Sequence, residues 1–510
     1  MQSVVYRKIS TGLSMDPQTT RVPAHAPCPL SHVSEITEER EMTRTQRNLV
    51  DTCFEEGQYE SGIAALELLR STAFKPPPDI IRQLLYIALY PPPCHTGDEQ
   101  EQTQRPLSPV KGSPSKQKQL LPKISFAPTV TASGAAQKLL FSFLRTNSPD
   151  TLFRGLPKYA AVAANECATR SEAVDKDYDQ DSPIAREAMC IKDCKYCWAI
   201  VREGFIQRGK FTPLPEERRK RQTKPAVGSA DDDSDNACNP APAVVAEHAW
   251  PVLDWLLRLF ERDEILTEKN SGVKFSPLLL SQIPPPRGRR GPRQDTDAPL
   301  DIMFRCTNQD CNLRRSMGTR LFTLLINLSQ TTDFDANMFT AAVIARLHFS
   351  PPDVILRLIT SLPKTMPILR FQLALCQRYL SGVSQSCGKV RRAKPQARAR
   401  CGSPVTAGSA PSAKEGGAST STRLAGASCN DILALLESRE SVELSTMIMK
   451  YVLLVAYALV QSQATPDQID RGWKDMLSDG RLKRAINNAF PEKGEGSEYR
   501  STLFAMHDLW

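Results

Sequence analysis

Hydrophobic and polar positions are grouped in blocks along this chain, and two of the blocks share one pattern. Residues 49–70 and 321–347 each contain two apolar runs with helical spacing, separated by polar breaks at 55–58 and at 329–333, respectively. Apolar residues that recur every three to four positions are typical of amphipathic helices. Each stretch therefore predicts a helix, a turn and a second helix.

A proline-rich junction follows each of these helix pairs. The first is Phe74-Lys-Pro-Pro-Pro-Asp79 and the second is Phe349-Ser-Pro-Pro-Asp353. Proline stops a helix and an acidic residue favours the start of the next one, so each junction predicts a third helix. We expect Asp353 to cap the second of these helices. Its predicted inward face consists of Ile355, Leu358, Ile359 and Leu362.

The same criterion divides the whole chain into helical blocks and linkers. The predicted blocks are residues 38–90, 134–212, 247–282, 301–380 and 429–510. A leader at 1–37 and linkers at 91–133, 213–246, 283–300 and 381–428 are polar or rich in proline and charge, which predicts disorder. Strand-like alternation bounded by hairpin turns is absent from the sequence, so the predicted class is all-α. Hairpins of irregular length between long disordered loops favour an irregular α-solenoid, and an ordinary helical globule is the alternative.

The third and last blocks give more detailed predictions. Residues 442–460 are apolar around most of a helix, which predicts a buried helix packed on the preceding block. Residues Asn430 and Asp431 are predicted to cap the helix before it. The third block predicts a helix at 250–266 with Leu253, Leu256, Leu257 and Phe260 inward and Arg258, Glu261 and Arg262 outward. Because the uninterrupted apolar run at 451–460 is short and residues 1–29 lack a signal-peptide core, we expect no membrane partner.

The chain contains 14 cysteines, which we expect to be reduced because no secretion signal is present. Their densest group is Cys190, Cys194 and Cys197. Three thiolates at this spacing could bind one structural zinc if a fourth ligand completed the tetrahedron. The candidates for that fourth ligand are Cys167, Cys306 and Cys311. The alternative is that these cysteines are buried thiols and that the protein holds no cofactor.

The formal net charge of +9 comes largely from short basic clusters in the predicted linkers. One cluster, in the 213–246 linker, predicts nuclear import, and the alternative is a solvated run of charge. It consists of Arg218, Arg219, Lys220 and Arg221. Basic residues in the linkers at 283–300 and 381–428 are compatible with contacts to nucleic-acid phosphates, and those at 381–428 are also a candidate import signal.

Motifs that carry catalytic chemistry are missing from the sequence. It has no phosphate-binding glycine loop followed by Lys-Ser/Thr, no Gly-x-Ser-x-Gly elbow and no His-x-x-x-His pair, and its six histidines are scattered. We therefore expect a protein that is not an enzyme.

The helical blocks also resemble a known group of proteins. Residues 49–93, the cysteine-bearing stretch to 225, and residues 250–266 and 302–380 resemble the helical C-terminal region of the SUMO-interacting-motif-containing localisation factors of the structural-maintenance-of-chromosomes (SMC) repair complex. The resemblance implies a nuclear scaffold or adaptor that binds a second helical protein and helps to localise a DNA-repair or chromosome-maintenance complex. The nearest candidate SUMO-interacting segment, Ala243-Val-Val-Ala-Glu247, departs from the usual aliphatic pattern. The competing hypothesis is a zinc-stabilised regulatory protein that binds nucleic acid through the basic linkers.

Overall fold

The computed structural model describes residues 39–93, 127–157, 182–208, 242–284, 295–331, 334–386, 427–438 and 443–510. These residues form eighteen α-helices and one pair of two-residue strands, which confirms the predicted all-α class. All of them belong to one compact unit that extends from Glu39 to Trp510.

The first eight helices are separated by turns and by undescribed segments. They are α1 (Arg44–Glu55), α2 (Tyr59–Leu69), α3 (Pro78–Ala88), α4 (Val130–Thr146), α5 (Pro149–Phe153), α6 (Pro183–Lys192), α7 (Trp250–Ser271) and α8 (Pro277–Ser281). Strands β1 (Arg40–Glu41) and β2 (Phe74–Lys75) pair in parallel, with Arg40 opposite Phe74. The turn between α1 and α2 and the helix after the first proline junction agree with the sequence pattern.

The remaining ten helices begin after the second basic linker. They are α9 (Asp297–Thr307), α10 (Asn312–Leu328), α11 (Ala336–Leu347), α12 (Pro352–Thr360), α13 (Met366–Ser386), α14 (Cys429–Glu437), α15 (Leu444–Gln463), α16 (Arg471–Ser478), α17 (Arg481–Ala489) and α18 (Ser497–His507). The polar break at 329–333 separates α10 from α11, as the sequence predicts.

The helices pack in a succession that runs along the chain. Helix α1 packs on α2, α2 packs on α4, and α3 contacts both α4 and α6. The succession continues from α4 to α7, from α7 to α10, from α10 to α13 and from α13 to α15. Helix α15 therefore packs on the preceding block, which confirms that prediction. One hydrophobic core extends through the described helices, from Val50 of α1 to Leu503 of α18.

Two helix starts differ from the prediction. The residue that caps α12 is Pro351, and Asp353 lies in the first turn, where its carboxylate forms an ion pair with Arg357 at 2.7 Å. Pro352 occupies the first helical position, which suits proline because its fixed backbone angle matches the helix and it has no N–H to satisfy. Helix α14 is capped by Ser428, whose side chain accepts the N–H of Asp431, and the Asp431 carboxylate accepts the N–H of Ser428 in return. The predicted cap residues therefore lie within the helices.

The interface between α7 and α10 contains charged side chains that the sequence pattern places on the outside. Leu253, Leu256, Leu257 and Phe260 are buried as predicted. Glu261, however, accepts two hydrogen bonds from Arg320 of α10, at 2.6 and 2.7 Å, and Arg320 also pairs with Asp254. Arg262 donates to the carbonyl of Leu144 on α4. Only Arg258 is exposed as predicted, because neighbouring helices cover both flanks of α7.

Helix α15 is the core helix of the last block. Among the described helices it is long and apolar enough to cross a membrane by length and composition, with a mean hydropathy of 1.6, but 67% of that window is buried inside the protein. Lys450 is also buried in it, and its ammonium donates to the carbonyls of Leu436 and Ser438 at 2.9 and 2.7 Å. Burial lowers the pKa of Lys450. These two bonds satisfy the C-terminal end of α14 and fix it to α15.

Candidate interaction surfaces and the cysteine group

The three clustered cysteines lie at the end of α6 and in the turn after it. The side chains of Cys190 and Cys194 are partly buried, and Cys197 is fully buried. The thiol of Cys194 donates to the carbonyl of Cys190 at 3.3 Å. The backbone N–H of Cys197 donates to Gln282 at 2.7 Å, and Gln282 in turn donates to the carbonyl of Pro157. The backbone of the group is therefore held by a buried glutamine from the segment after α8.

The thiols of this group are protonated when no metal is bound. Burial, with a contribution from neighbouring acidic groups, raises the pKa of Cys190 to about 12 and that of Cys194 to about 11. Burial also raises the pKa of Cys197 well above its ordinary value. A zinc ion would have to displace these protons, because the thiolate is the ligand.

A complete zinc site is not found among the described residues. No group of three or more His, Cys, Asp or Glu side chains there has an arrangement that could hold a metal ion. Cys306 is buried in α9 and Cys311 is exposed at the start of α10. Cys167, the remaining candidate ligand, lies outside the described residues. The zinc site therefore stays a prediction from spacing.

Several other predicted site residues also lie outside the described part of the chain. These are the import cluster, Arg218, Arg219, Lys220 and Arg221, and all lysines and arginines of the linkers at 283–300 and 381–428. The candidate SUMO-interacting segment, Ala243–Glu247, lies within the described residues. Its Val245 and Ala246 are buried, and the N–H of Ala246 donates to the carbonyl of Val201 at 2.9 Å. In this conformation that segment is part of the core and is not an exposed strand.

The outer side of the α1–α2 hairpin is an uncharged surface with two exposed leucines. Leu68 of α2 is 88% exposed and Leu49 of α1 is 57% exposed. Helical spacing places small or hydroxyl side chains beside each leucine. We call this set the hairpin face, and it consists of Thr45, Leu49, Thr52, Ser61, Ala64 and Leu68, all exposed. Its surroundings are acidic, with Glu55, Glu56, Glu60 and Glu67 also exposed.

Helix α11 presents a second apolar surface. Its buried side, which includes Phe339 and Val343, packs in an aromatic cluster in which Phe339 lies 5.5 Å from Phe371 between ring centroids. The opposite side is also apolar but faces solvent. We call it the α11 face. It consists of Met338, Ala345 and the half-buried Ala341 and Ala342 on the helix, and of Phe349 in the turn that follows the helix. Met338 is 41% exposed and Phe349 is 91% exposed.

The sequence pattern does not predict the α11 face. It places Phe349 as the last residue of an apolar run before the second proline junction, and not as part of an exposed surface. The signal was nevertheless present in the sequence, because Met338, Ala341, Ala345 and Phe349 recur at helical spacing. A helix that is apolar on all sides is normally buried on all sides. Among the described residues, α11 is buried on one side only.

Charged and aromatic side chains flank the α11 face. On one flank Arg346 pairs with Asp297 and Asp301 of α9, at 3.0 and 2.8 Å. On the other flank His348 stacks on Tyr379 of α13, with ring centroids 4.6 Å apart. Arg378, which precedes Tyr379 on α13, donates to the backbone carbonyl of Asn337 at 2.7 Å. Both flanks are thus fixed by contacts with neighbouring helices.

Comparisons with protein-family models, with curated proteins and with solved structures give no match to this chain. The function is therefore inferred from these surfaces and from the sequence motifs.

Proposed function

We propose that this protein is a non-enzymatic nuclear scaffold, an irregular α-solenoid that binds a second helical protein through the hairpin face and helps to localise a DNA-repair or chromosome-maintenance complex. The observation that carries the proposal is the exposure of Leu49 on α1 and of Leu68 on the adjoining α2, each beside uncharged side chains. Exposed apolar patches with a polar rim are typical of protein-interaction sites. The helix succession from α1 to α15 supports the solenoid part of the proposal.

The hairpin face favours a particular kind of helix as its partner. Leucines at separated positions on α1 and α2 can receive an apolar stripe with i, i+3/4, i+7 spacing, as in other helix-on-helix recognition. Glu67 already pairs with Arg70, and Glu60 accepts hydrogen bonds from Thr129 and Thr131. The remaining glutamates, Glu55 and Glu56, favour lysine or arginine beside that stripe. The partner is therefore an amphipathic helix with a basic flank, presented by another helical subunit.

The partner proposal is tested by purification of the tagged full-length protein from nuclei. We expect subunits of an SMC repair complex to co-purify with the wild type and to be lost with Leu68→Ser and Leu49→Ser. Phe349→Ser is the matched control, because Phe349 is equally exposed but lies on the α11 face. Binding is then measured directly with the purified subunit. Equal recovery of those subunits with the wild type and with Leu68→Ser would exclude the hairpin face as their site.

Nuclear localisation is tested through the import cluster. Replacement of Arg218, Arg219, Lys220 and Arg221 with Ala should move the tagged protein to the cytoplasm. An unchanged nuclear signal would shift the import role to Arg391 and Arg392, in the 381–428 linker. A wild-type protein found in the cytoplasm would contradict the nuclear role.

The second candidate function, a zinc-stabilised nucleic-acid-binding protein, is favoured by the cysteine spacing and the basic linkers. It predicts about one equivalent of zinc in protein purified without chelator, and a lower melting temperature after chelation. It also predicts binding to a labelled DNA duplex or RNA strand that weakens steeply with added salt. Less than about half an equivalent of zinc and no salt-dependent binding would leave the adaptor role as the better description.

A further inference from the structure

The α11 face has a property that the hairpin face lacks, because its residues are distributed symmetrically along α11 and the turn that follows it. Large side chains, Met338 and Phe349, lie at its two ends, and the small side chains of Ala341, Ala342 and Ala345 lie between them. Alanine in the middle permits close approach of another helix, since interaxial distance depends on the side chains at the contact.

We propose that the α11 face binds the α11 face of a second copy of this chain, with the two helices antiparallel. A register that places Met338 opposite Phe349 of the second copy also places Ala342 opposite Ala345, because both pairs share one midpoint on the helix. The large side chains then cover each other at both ends, and small side chains meet at the centre. A two-fold interface requires such self-complementarity, in which each residue contacts its counterpart reciprocally.

The charges at the two ends of the face fit the same arrangement. Arg378 lies beside Asn337, at the Met338 end, and no described carboxylate is within ion-pair distance of it. Asp353 follows Phe349 at the opposite end, and its side chain is 68% exposed although it pairs with Arg357 of its own helix. Antiparallel helices bring the Met338 end of each copy to the Phe349 end of the other. Arg378 of one copy is thereby placed near Asp353 of the other, twice in each dimer.

A second copy suits this face better than a helix of unrelated sequence, because one antiparallel register satisfies both the side-chain sizes and the charges. The rest of the flank is already neutralised within one chain, since Arg346 is paired with Asp297 and Asp301. Arg378 is therefore the cation left for a partner to neutralise. This inference is independent of the proposed adaptor function, which uses the hairpin face.

The first experiment measures the mass of the purified full-length chain by sedimentation equilibrium over a range of concentrations. We expect a reversible dimer, and we expect Phe349→Ser to weaken it by at least about 10-fold, because the substitution removes a large apolar contact from both ends of the interface. Leu68→Ser is the matched control and should leave the dimer unchanged. Circular dichroism and thermal melting of each variant establish that the helical fold is kept.

The second experiment tests the register through charge. Arg378→Glu should weaken the dimer by placing two acids together, and Asp353→Arg should weaken it by placing two bases together. A mixture of the two variants should restore it, because a dimer with one chain of each kind contains two opposite-charge pairs. This restoration depends on the pairing between copies, so a general loss of stability would not produce it.

The outcomes separate this inference from the adaptor proposal. A wild-type chain that stays monomeric at about 100 µM, a dimer indifferent to Phe349→Ser, or a mixture that does not associate would each overturn the antiparallel dimer. If the chain is monomeric and Phe349→Ser instead abolishes the recovery of a co-purified helical protein, the α11 face binds that protein. Loss of co-purification with Leu68→Ser alone concerns only the hairpin face.

Discussion

The two proline junctions have nearly the same sequence but lie in different environments. Phe74, before the first junction, is 7% exposed and lies 6.2 Å from Phe143 of α4 between ring centroids. Phe349, before the second, is 91% exposed. The backbone around Phe74 is also fixed, because its carbonyl accepts a hydrogen bond from Asn147. The same local motif therefore places an aromatic side chain in the core once and on the surface once.

The helices that follow the junctions differ in the same way. Helix α3 contacts both α4 and α6, whereas α12 contacts chiefly α15. The buried residues of α3 are Ile80, Ile81, Gln83, Leu84, Leu85, Tyr86, Ile87 and Ala88, which cover nearly its whole circumference. Those of α12 are Val354, Ile355, Leu358 and Ile359 on one side. The junction sets where a helix begins, and the number of neighbouring helices sets how much of it is buried.

The acidic residues of the two junctions, Asp79 and Asp353, form different kinds of ion pair. Asp79 pairs with Arg47 of α1 and so joins two helices, while Asp353 pairs with Arg357 one turn further along its own helix. The guanidinium Nε of Arg47 also lies 3.6 Å from a carboxylate oxygen of Asp51. Burial, reinforced by the charge of Asp79, raises the pKa of Asp51 to about 6, although Arg47 acts in the opposite direction. The first junction thus contains a small charge network within α1 and α3.

The largest expected difference in the free energy of unfolding is between substitutions of the two aromatic residues, Phe74 and Phe349. Phe74→Ala should lower the free energy of unfolding by about 3 to 5 kcal/mol, because it removes buried contacts and leaves a cavity. In the dilute, monomeric protein Phe349→Ala should change it by less than about 0.5 kcal/mol, because that side chain is exposed there. Urea unfolding midpoints measure both. Equal losses for the two variants would mean that Phe349 is covered in the monomer.

The next comparison lies within α12. Leu358→Ala should lower the free energy of unfolding by about 2 to 5 kcal/mol, because Leu358 is in the buried face that the sequence predicts. Arg357→Ala should cost only about 0.5 kcal/mol, because it breaks one exposed ion pair within the helix. Denaturant midpoints decide the ranking. A larger loss for Arg357→Ala than for Leu358→Ala would show that the buried side of α12 is assigned wrongly.

A smaller effect is expected from the acidic residues. Asp79→Asn should destabilise the protein by about 1 kcal/mol, and Asp353→Asn by about 0.3 to 0.5 kcal/mol, because only the first substitution breaks a contact between helices. Because exposed pairs are screened by salt, the difference should shrink at 1 M NaCl. Thermal melting at low and high salt measures it, and Asp353→Asn as the more damaging change would reverse the comparison.

The last expected effect is a dependence on pH at the first junction. The pKa of Asp51 in the folded protein, about 6, is above its ordinary value of 3.8, so the folded state holds its proton more tightly than the unfolded state. This group's contribution therefore disfavours folding as pH rises from about 4 to 6, and the penalty is complete above that window. Asp51→Asn should remove this part of the pH dependence, measured by melting temperature between pH 4 and 7. Asp353→Asn is the control, and an identical pH profile for Asp51→Asn and the wild type would contradict the assignment.

The sequence by itself determined the helical class, the polar breaks, the presence of a helix after each junction, the inward face of α7 and that of α12 as far as Ile359. These features follow from local properties, namely helical periodicity, proline geometry and turn residues. The spacing of Cys190, Cys194 and Cys197 was visible for the same reason. The all-round apolar character of α11 was also visible, although its consequence for Phe349 was not.

The tertiary structure alone decided which helix faces pack against neighbouring helices and which are exposed to solvent. Periodicity is the same for Phe74 and Phe349, but only Phe74 meets a helix from a distant part of the chain. The partners of Glu261 and Arg262, on α10 and α4, likewise depend on contacts between residues far apart in sequence. Burial is a property of the assembled helices, because the surface removed from water depends on which neighbours approach. The exposed α11 face and hairpin face therefore became visible only once the helices were packed.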